Sequence, residues 1–151
     1  MSQSTSFVGL SWSALRSLSP ARAPNGPASA ILERGGSHET TVGFVPALGR
    51  AEIHGHGGSE TWLHVIGGEV EEERWTKVGT DWTYEARILR AGESSTLPSD
   101  ALHRVRAIED ATVITVYTPA PAVGAERVPW SLMPALRAAR WRAGRDAEGE
   151  E

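Results

Sequence analysis

Apolar and polar residues of this chain alternate in short runs that glycine interrupts. Thr40, Val42 and Phe44 share one parity, as do Thr61, Leu63 and Val65, and period-two runs predict half-buried strands. Gly67 and Gly68 predict a turn after the second run. Residues 69–77 and 81–89 flank a turn at 78–80 and predict a hairpin; their alternation is partly charged, which suits strands with one face in water. Gly92 predicts a further turn, and residues 97–108 contain the next strand. Glu109 and Asp110 then predict a turn into 111–117, a β-branched run expected as a buried strand. Strands this short at such regular intervals predict an all-β barrel or sandwich.

The two ends read differently. Residues 1–30 predict a weakly structured arm, because Pro20, Pro24, Gly26 and Pro27 break any regular element. After the barrel at 31–121, residues 122–145 predict an extension with one helix. Ser131 is its expected N-cap and Pro134 suits its first turn. Met133, Leu136 and Ala139 would face the barrel, while Arg137, Arg140 and Arg142 would sit near the negative end of the helix dipole. Gly144 ends the helix, and 146–151 is expected to be a disordered acidic tail.

Length and composition narrow the function. A chain of 151 residues allows one domain with one core. No apolar run approaches the ~18 residues of a membrane span. Residues 1–10 lack the basic start and apolar stretch of a secretory signal, so a cytoplasmic protein with no membrane partner is expected. The absence of cysteine excludes disulfides, thiolate ligands and a cysteine nucleophile, leaving imidazole and carboxylate to hold any metal. The net charge of -4 argues against nucleic acid as a partner.

Among the five histidines, His54 and His56 are two apart in an expected strand, so their side chains share a face. His103 from a distant strand would complete a facial set with positions open for substrate and oxygen. Gly55, Gly57 and Gly58 crowd the pair and allow close backbone approach. Taken singly, the pair also fits two solvated loop histidines, and His103 an ordinary strand histidine. His38 lies in an expected turn, and His64 faces away from Leu63 and Val65; neither is assigned to the site.

Residues 49–68 resemble the first cupin motif: Gly49, a short spacer, His54 and His56, an acid, and a glycine six residues on. Residues 92–103 resemble the second, with Gly92, Pro98 and His103 in the family's spacing. Asp100 replaces the usual glycine, Ala107 the usual asparagine, and the first spacer is one residue short. Within cupins the chain is similar to the cysteine-dioxygenase-like thiol dioxygenases. His54 to Ser59 is similar to their His-Asp-His-Gly-Gly-Ser. The run from Val65 to Val70, followed by Glu71 and Glu72, is similar to the glycine turn and acidic strand that come next there. Leu102 to Val105 looks like their His-Arg-Val, and Val116 to Pro119 like their Val-Tyr-Ser-Pro. The resemblance spans about residues 40–121 and implies a jelly-roll barrel with a metal at His54, His56 and His103.

Several family features do not carry over. The family's relay tyrosine matches Tyr117, but its serine and histidine match Val113 and Thr115. Thr61 stands where one member has a cross-linked cysteine. The substrate-carboxylate arginine is missing near 28–30, where Arg34 or Arg50 could substitute. Glu60 stays open: counted from Gly67 it is a fourth ligand, and counted from Gly68 that position belongs to Thr61. A one-residue shift turns a strand side chain to the opposite face.

The resemblance implies a dioxygenase that passes both atoms of O2 to the sulfur of a small thiol or related metabolite. The ion would be Fe(II), although three histidines also suit Ni(II), Cu(II) or Zn(II). Tyr117 would donate a hydrogen bond to substrate or oxygen, or else pack in the barrel with its hydroxyl satisfied. Thr61, Thr115 and Arg34 are the expected substrate-binding residues. Two other readings are a cupin oxygenase, isomerase or lyase acting on a non-thiol small molecule, and a metal- or ligand-binding protein without turnover. A homodimer is also open. Trp75 and Trp82 are expected as half-buried hairpin packing.

Overall fold

The computed structural model describes residues 28–48, 52–121 and 126–145; most of the expected arm, Arg50 and the acidic tail lie outside the described residues. Strands β1 (Ala28–Arg34), β2 (Glu39–Val45), β3 (His54–Gly55) and β4 (Glu60–Val78) come first. β5 (Asp81–Arg90), β6 (Ser94–Leu97), β7 (Leu102–Thr118) and β8 (Glu126–Arg127) follow, and then a 3-10 turn at Trp130–Leu132 and helix α1 (Met133–Arg142). The described strands make one antiparallel sheet in the order β1-β2-β7-β3-β8, with β4 pairing β5, β6 and β7. The sheet curls around a core of Val45, Leu63, Val65, Val70, Leu89, Val105, Ala107, Ala111 and Val113. An all-β barrel followed by one C-terminal helix is the expected architecture.

Two expected turns are not turns. β4 runs through Gly67 and Gly68, and β7 runs through Glu109 and Asp110. The two strands stay paired from Glu60↔Thr118 to Trp75↔Leu102, with register shifts between Val65 and Val70. A bulge lets a strand bend while the ladder continues on both sides, and here it replaces a reversal of the chain. Gly68 sits at φ +79°, and a Cβ there would run into the Asp110 carbonyl and Ala111 Cα, so the bend requires glycine. The extra residue also changes parity. Thr61, Leu63 and Val65 face inward before the bend, whereas Val70 and Glu72 face inward after it. β7 keeps its odd positions inward throughout.

The hairpin of β4 and β5 forms as expected, pairing Val78↔Asp81 at its tip. Its acidic base does not have a face in water, however: Glu71, Glu72 and Glu73 are all buried. α1 supplies the missing cover. Leu136 and Ala139 pack on Ile53 and Trp75, with Met133, Trp82 and Tyr84 at the margin. The Trp75 indole donates to the Leu136 carbonyl at 2.9 Å, and Trp75 is fully buried where half-burial was expected. Ser131 does not cap α1. It lies in the 3-10 turn, whose Trp130 carbonyl accepts the Met133 N–H, so no side-chain acceptor is needed there. Arg140 stands in the last turn of α1, as expected, and is also buried and ion-paired to Glu73 at 2.7 Å.

Candidate metal centre

Three imidazoles meet where β3 pairs with β7. His54 on β3 stands opposite His103 on β7 as a Cα pair. His56 follows β3 and leads into a turn in which Gly57 and Gly58 take φ +57° and +89°, with Ser59 N–H closing on the His56 carbonyl at 3.1 Å. Gly55 lies between the two histidines, and a Cβ there would press on Leu102 at 3.1 Å. The short β-turn-β segment thus presents both rings to β7.

Ring centroids lie 4.7–4.9 Å apart for all three pairs, and one ligand atom from each residue falls within 4.8 Å of the others. Nε2 of His56 and Nε2 of His103 are 2.8 Å apart. The far nitrogens are held from behind. His54 Nδ1–H donates to the Glu52 carbonyl at 2.8 Å, and His103 Nδ1–H to the Glu72 carboxylate at 2.9 Å. In that tautomer Nε2 of His54 and of His103 carries a lone pair rather than a hydrogen, the form in which an imidazole binds an ion.

Electrostatics favour the ligating form. Burial, then the neighbouring His103, lowers the His54 pKa to about 4. Burial, then His103 and His54, lowers that of His56 to about 3. Both rings are therefore neutral at physiological pH, as a divalent cation requires of them. Burial by itself would raise the Glu72 pKa, but the hydrogen bond and charge of His103, with Ser95 and Arg74 behind, bring it down to about 2. A buried carboxylate in contact with one of three clustered imidazoles is a fitting environment for a divalent metal.

The remaining expected residues divide. Tyr117 lies beside the cluster, its ring tilted at 45° to that of His56 with the centroids 4.9 Å apart. Burial pushes its hydroxyl pKa up, against the effect of hydrogen bonds with Thr41 and Thr115. Thr61 stands opposite Tyr117, buried, with a hydroxyl that has no partner among the described residues. Thr115 is buried two residues before Tyr117. Glu60 is exposed on the opposite parity and is not in the cluster. Arg34 is half-exposed and engaged with Glu39 at 3.3 Å and the Pro121 carbonyl at 3.0 Å. His38 pairs with Glu33, and His64 bonds Ser94 at 2.7 Å and stacks on Trp62; neither joins the site.

Sequence reasoning missed Glu72, Ser95 and Arg74. The signal was available for Glu72, since of three successive acids in a strand at least one must face the core.

No family model matches the sequence, and no curated protein matches it. Solved structures do. KdgF from Halomonas sp. aligns with a TM-score of 0.56 at 20% identity, covering 67% of this chain and 87% of that one. An RmlC-like cupin from Shewanella frigidimarina gives 0.56 at 15%, covering 69% and 86%. A recombinant oxalate oxidase in complex with glycolate gives 0.59 at 18%, covering 64% of this chain, which spans 53% of that longer one. At these identities the likeness establishes the fold: a cupin jelly roll.

Proposed function

We propose that this cupin-fold chain is a metal-dependent oxygenase that holds Fe(II) through His54, His56 and His103 and oxidises a small thiol or related metabolite with O2. The observation that carries it is the convergence of three imidazoles, two of them held neutral by burial, beside Tyr117. Bound there, the ion would supply a redox-active Lewis acid that lowers the pKa of a thiol and accepts oxygen.

The chain's own residues supply the rest. Glu52 and Glu72 orient two of the rings. Tyr117, kept protonated by burial, donates a hydrogen bond toward the reacting atoms. Thr61 and Thr115 line the approach and hold the substrate in orientation. The reaction balances as RSH + O2 → RSO2H, with sulfur giving four electrons and dioxygen accepting them. The similarity of residues 54–59 to the thiol dioxygenases supports sulfur as the target.

A second reading, a cupin oxygenase, isomerase or lyase acting on a non-thiol molecule, is favoured by one observation. The hydroxyls of Thr41, Thr61, Thr115 and Tyr117 gather here, and Arg34 is engaged with Glu39 and a carbonyl. Such a lining suits a neutral hydroxylated substrate. Oxygen uptake by Fe(II)-loaded protein with a panel of small thiols separates the two. Uptake with formation of a sulfinic acid is expected. Uptake no greater than in the metal-free control would exclude the thiol reaction.

A further inference from the structure

Resting on the metal-centre reading above, we infer that Glu72 is the positioning residue of the centre: its carboxylate accepts Nδ1–H from His103 and aims that ring's Nε2 at the ion shared with His54 and His56. Glu72 is 2% exposed, and each of its oxygens has one close partner. Oε2 takes the His103 proton donor at 2.9 Å, and Oε1 takes the Ser95 hydroxyl at 2.5 Å.

Ser95 has only one direction in which to give its proton. Arg74 donates to its oxygen at 2.8 Å and to the Thr96 carbonyl at 2.7 Å. The hydroxyl hydrogen therefore points at Glu72, and the carboxylate is left as a pure acceptor facing the imidazole. A plain structural ion pair between Glu72 and Arg74 fits less well. Their separation is 3.5 Å, while the shorter bonds of Arg74 go to Ser95 and Thr96. The polar chain runs from Arg74 through Ser95 and Glu72 to His103, and ends at the cluster.

The placement also answers what became of the acid in the first motif. Glu60 is exposed and contributes no negative charge at the ion. Glu72, twelve positions further along the same strand and turned inward by the bulge, supplies that charge through an imidazole instead. Carboxylate behind a ligating histidine raises the basicity of the ligand and fixes its tautomer.

The test is Co(II) titration of the full chain, followed by the visible absorption of the bound ion and by competition for affinity. The parent protein is expected to bind one equivalent. Glu72→Gln keeps shape and an acceptor oxygen but removes the charge, and should weaken Co(II) binding by about ten- to a hundredfold, with an altered absorption band. Glu72→Asp should fall between the two. If Glu72→Gln does not fold by circular dichroism, Ser95→Ala takes its place and should weaken binding by more than about twofold, short of the loss that removing the carboxylate itself would cause. A folded variant that binds within twofold of the parent overturns this inference alone. A parent protein that takes up no Co(II) overturns both this inference and the metal-centre reading.

Discussion

Glu72 and Glu73 are chemically identical neighbours on β4, both 2% exposed and both held at pKa about 2, yet they belong to different parts of the molecule. Glu72 points into the barrel at His103. Glu73 points out beneath α1, where Arg104 and Arg140 reach it at 2.5 and 2.7 Å and the Tyr84 hydroxyl at 2.7 Å. Strand alternation assigns one to chemistry and the other to holding the C-terminal helix on the barrel. The same split divides their partners on β7, where His103 faces in and Arg104 faces out. A buried charge therefore says little about role until its face is known.

The contrast makes opposite demands on the two faces. Glu73→Ala would remove the buried carboxylate that both Arg104 and Arg140 reach. It should cost about 3–5 kcal/mol in urea unfolding, while the protein still folded in the cold keeps its metal. His103→Ala should do the reverse, reducing the metal content of purified protein to background with a much smaller change in unfolding midpoint. If both variants lost metal and stability together, the two faces would be one unit and the distinction would fail.

Acid should separate the buried imidazoles from the buried carboxylates, because the two kinds of group titrate in different windows. His54 and His56 ionise in the unfolded chain near 6.5 but only at about 4 and 3 when folded. The unfolded state thus binds more protons as pH falls below 6.5, and the metal-free protein should lose stability down to about 3. Glu72 and Glu73 are depressed from 4.5 to about 2, so their stabilisation is complete above 4.5 and disappears as pH falls through 2. Urea midpoints measured across pH should show both windows, and Glu73→Gln should flatten only the lower one. The smallest effect is expected of Thr61→Val. Removing a buried hydroxyl with no partner should leave stability within about 1 kcal/mol of the parent or above it, while turnover of the preferred substrate falls.

Much of the fold was legible because period-two alternation is a local signal. The hairpin follows from it, while the buried run of β7 was legible from its β-branched residues and the C-terminal helix from Pro134 in its first turn and the glycine after its end. Histidines two apart and a third at motif spacing were equally readable as a candidate site. What sequence could not provide was parity across a bend. Gly67 with Gly68, and Glu109 with Asp110, carry the residue types of turns, so two long strands were divided into four short ones. That error hid Glu72, because the acids at 71–73 cannot be assigned to faces until the bulge is counted. Glu60 and Thr61 posed the same question, and the burial of Thr61 with exposure of Glu60 answers it. The second role of Arg140 was not legible for another reason: nothing local reveals that a helix will lie over a carboxylate sixty-seven positions away.

The bend at Gly68 behaves like a reading frame written into the backbone. One residue more or less between Val65 and Val70 would transpose everything downstream on that strand, sending the carboxylate now behind His103 out under the helix and bringing its neighbour in. Natural variation of this segment should therefore favour substitutions over insertions and deletions, and a single-residue deletion there should lower the urea midpoint by turning Val70 and Trp75 away from the cores they fill.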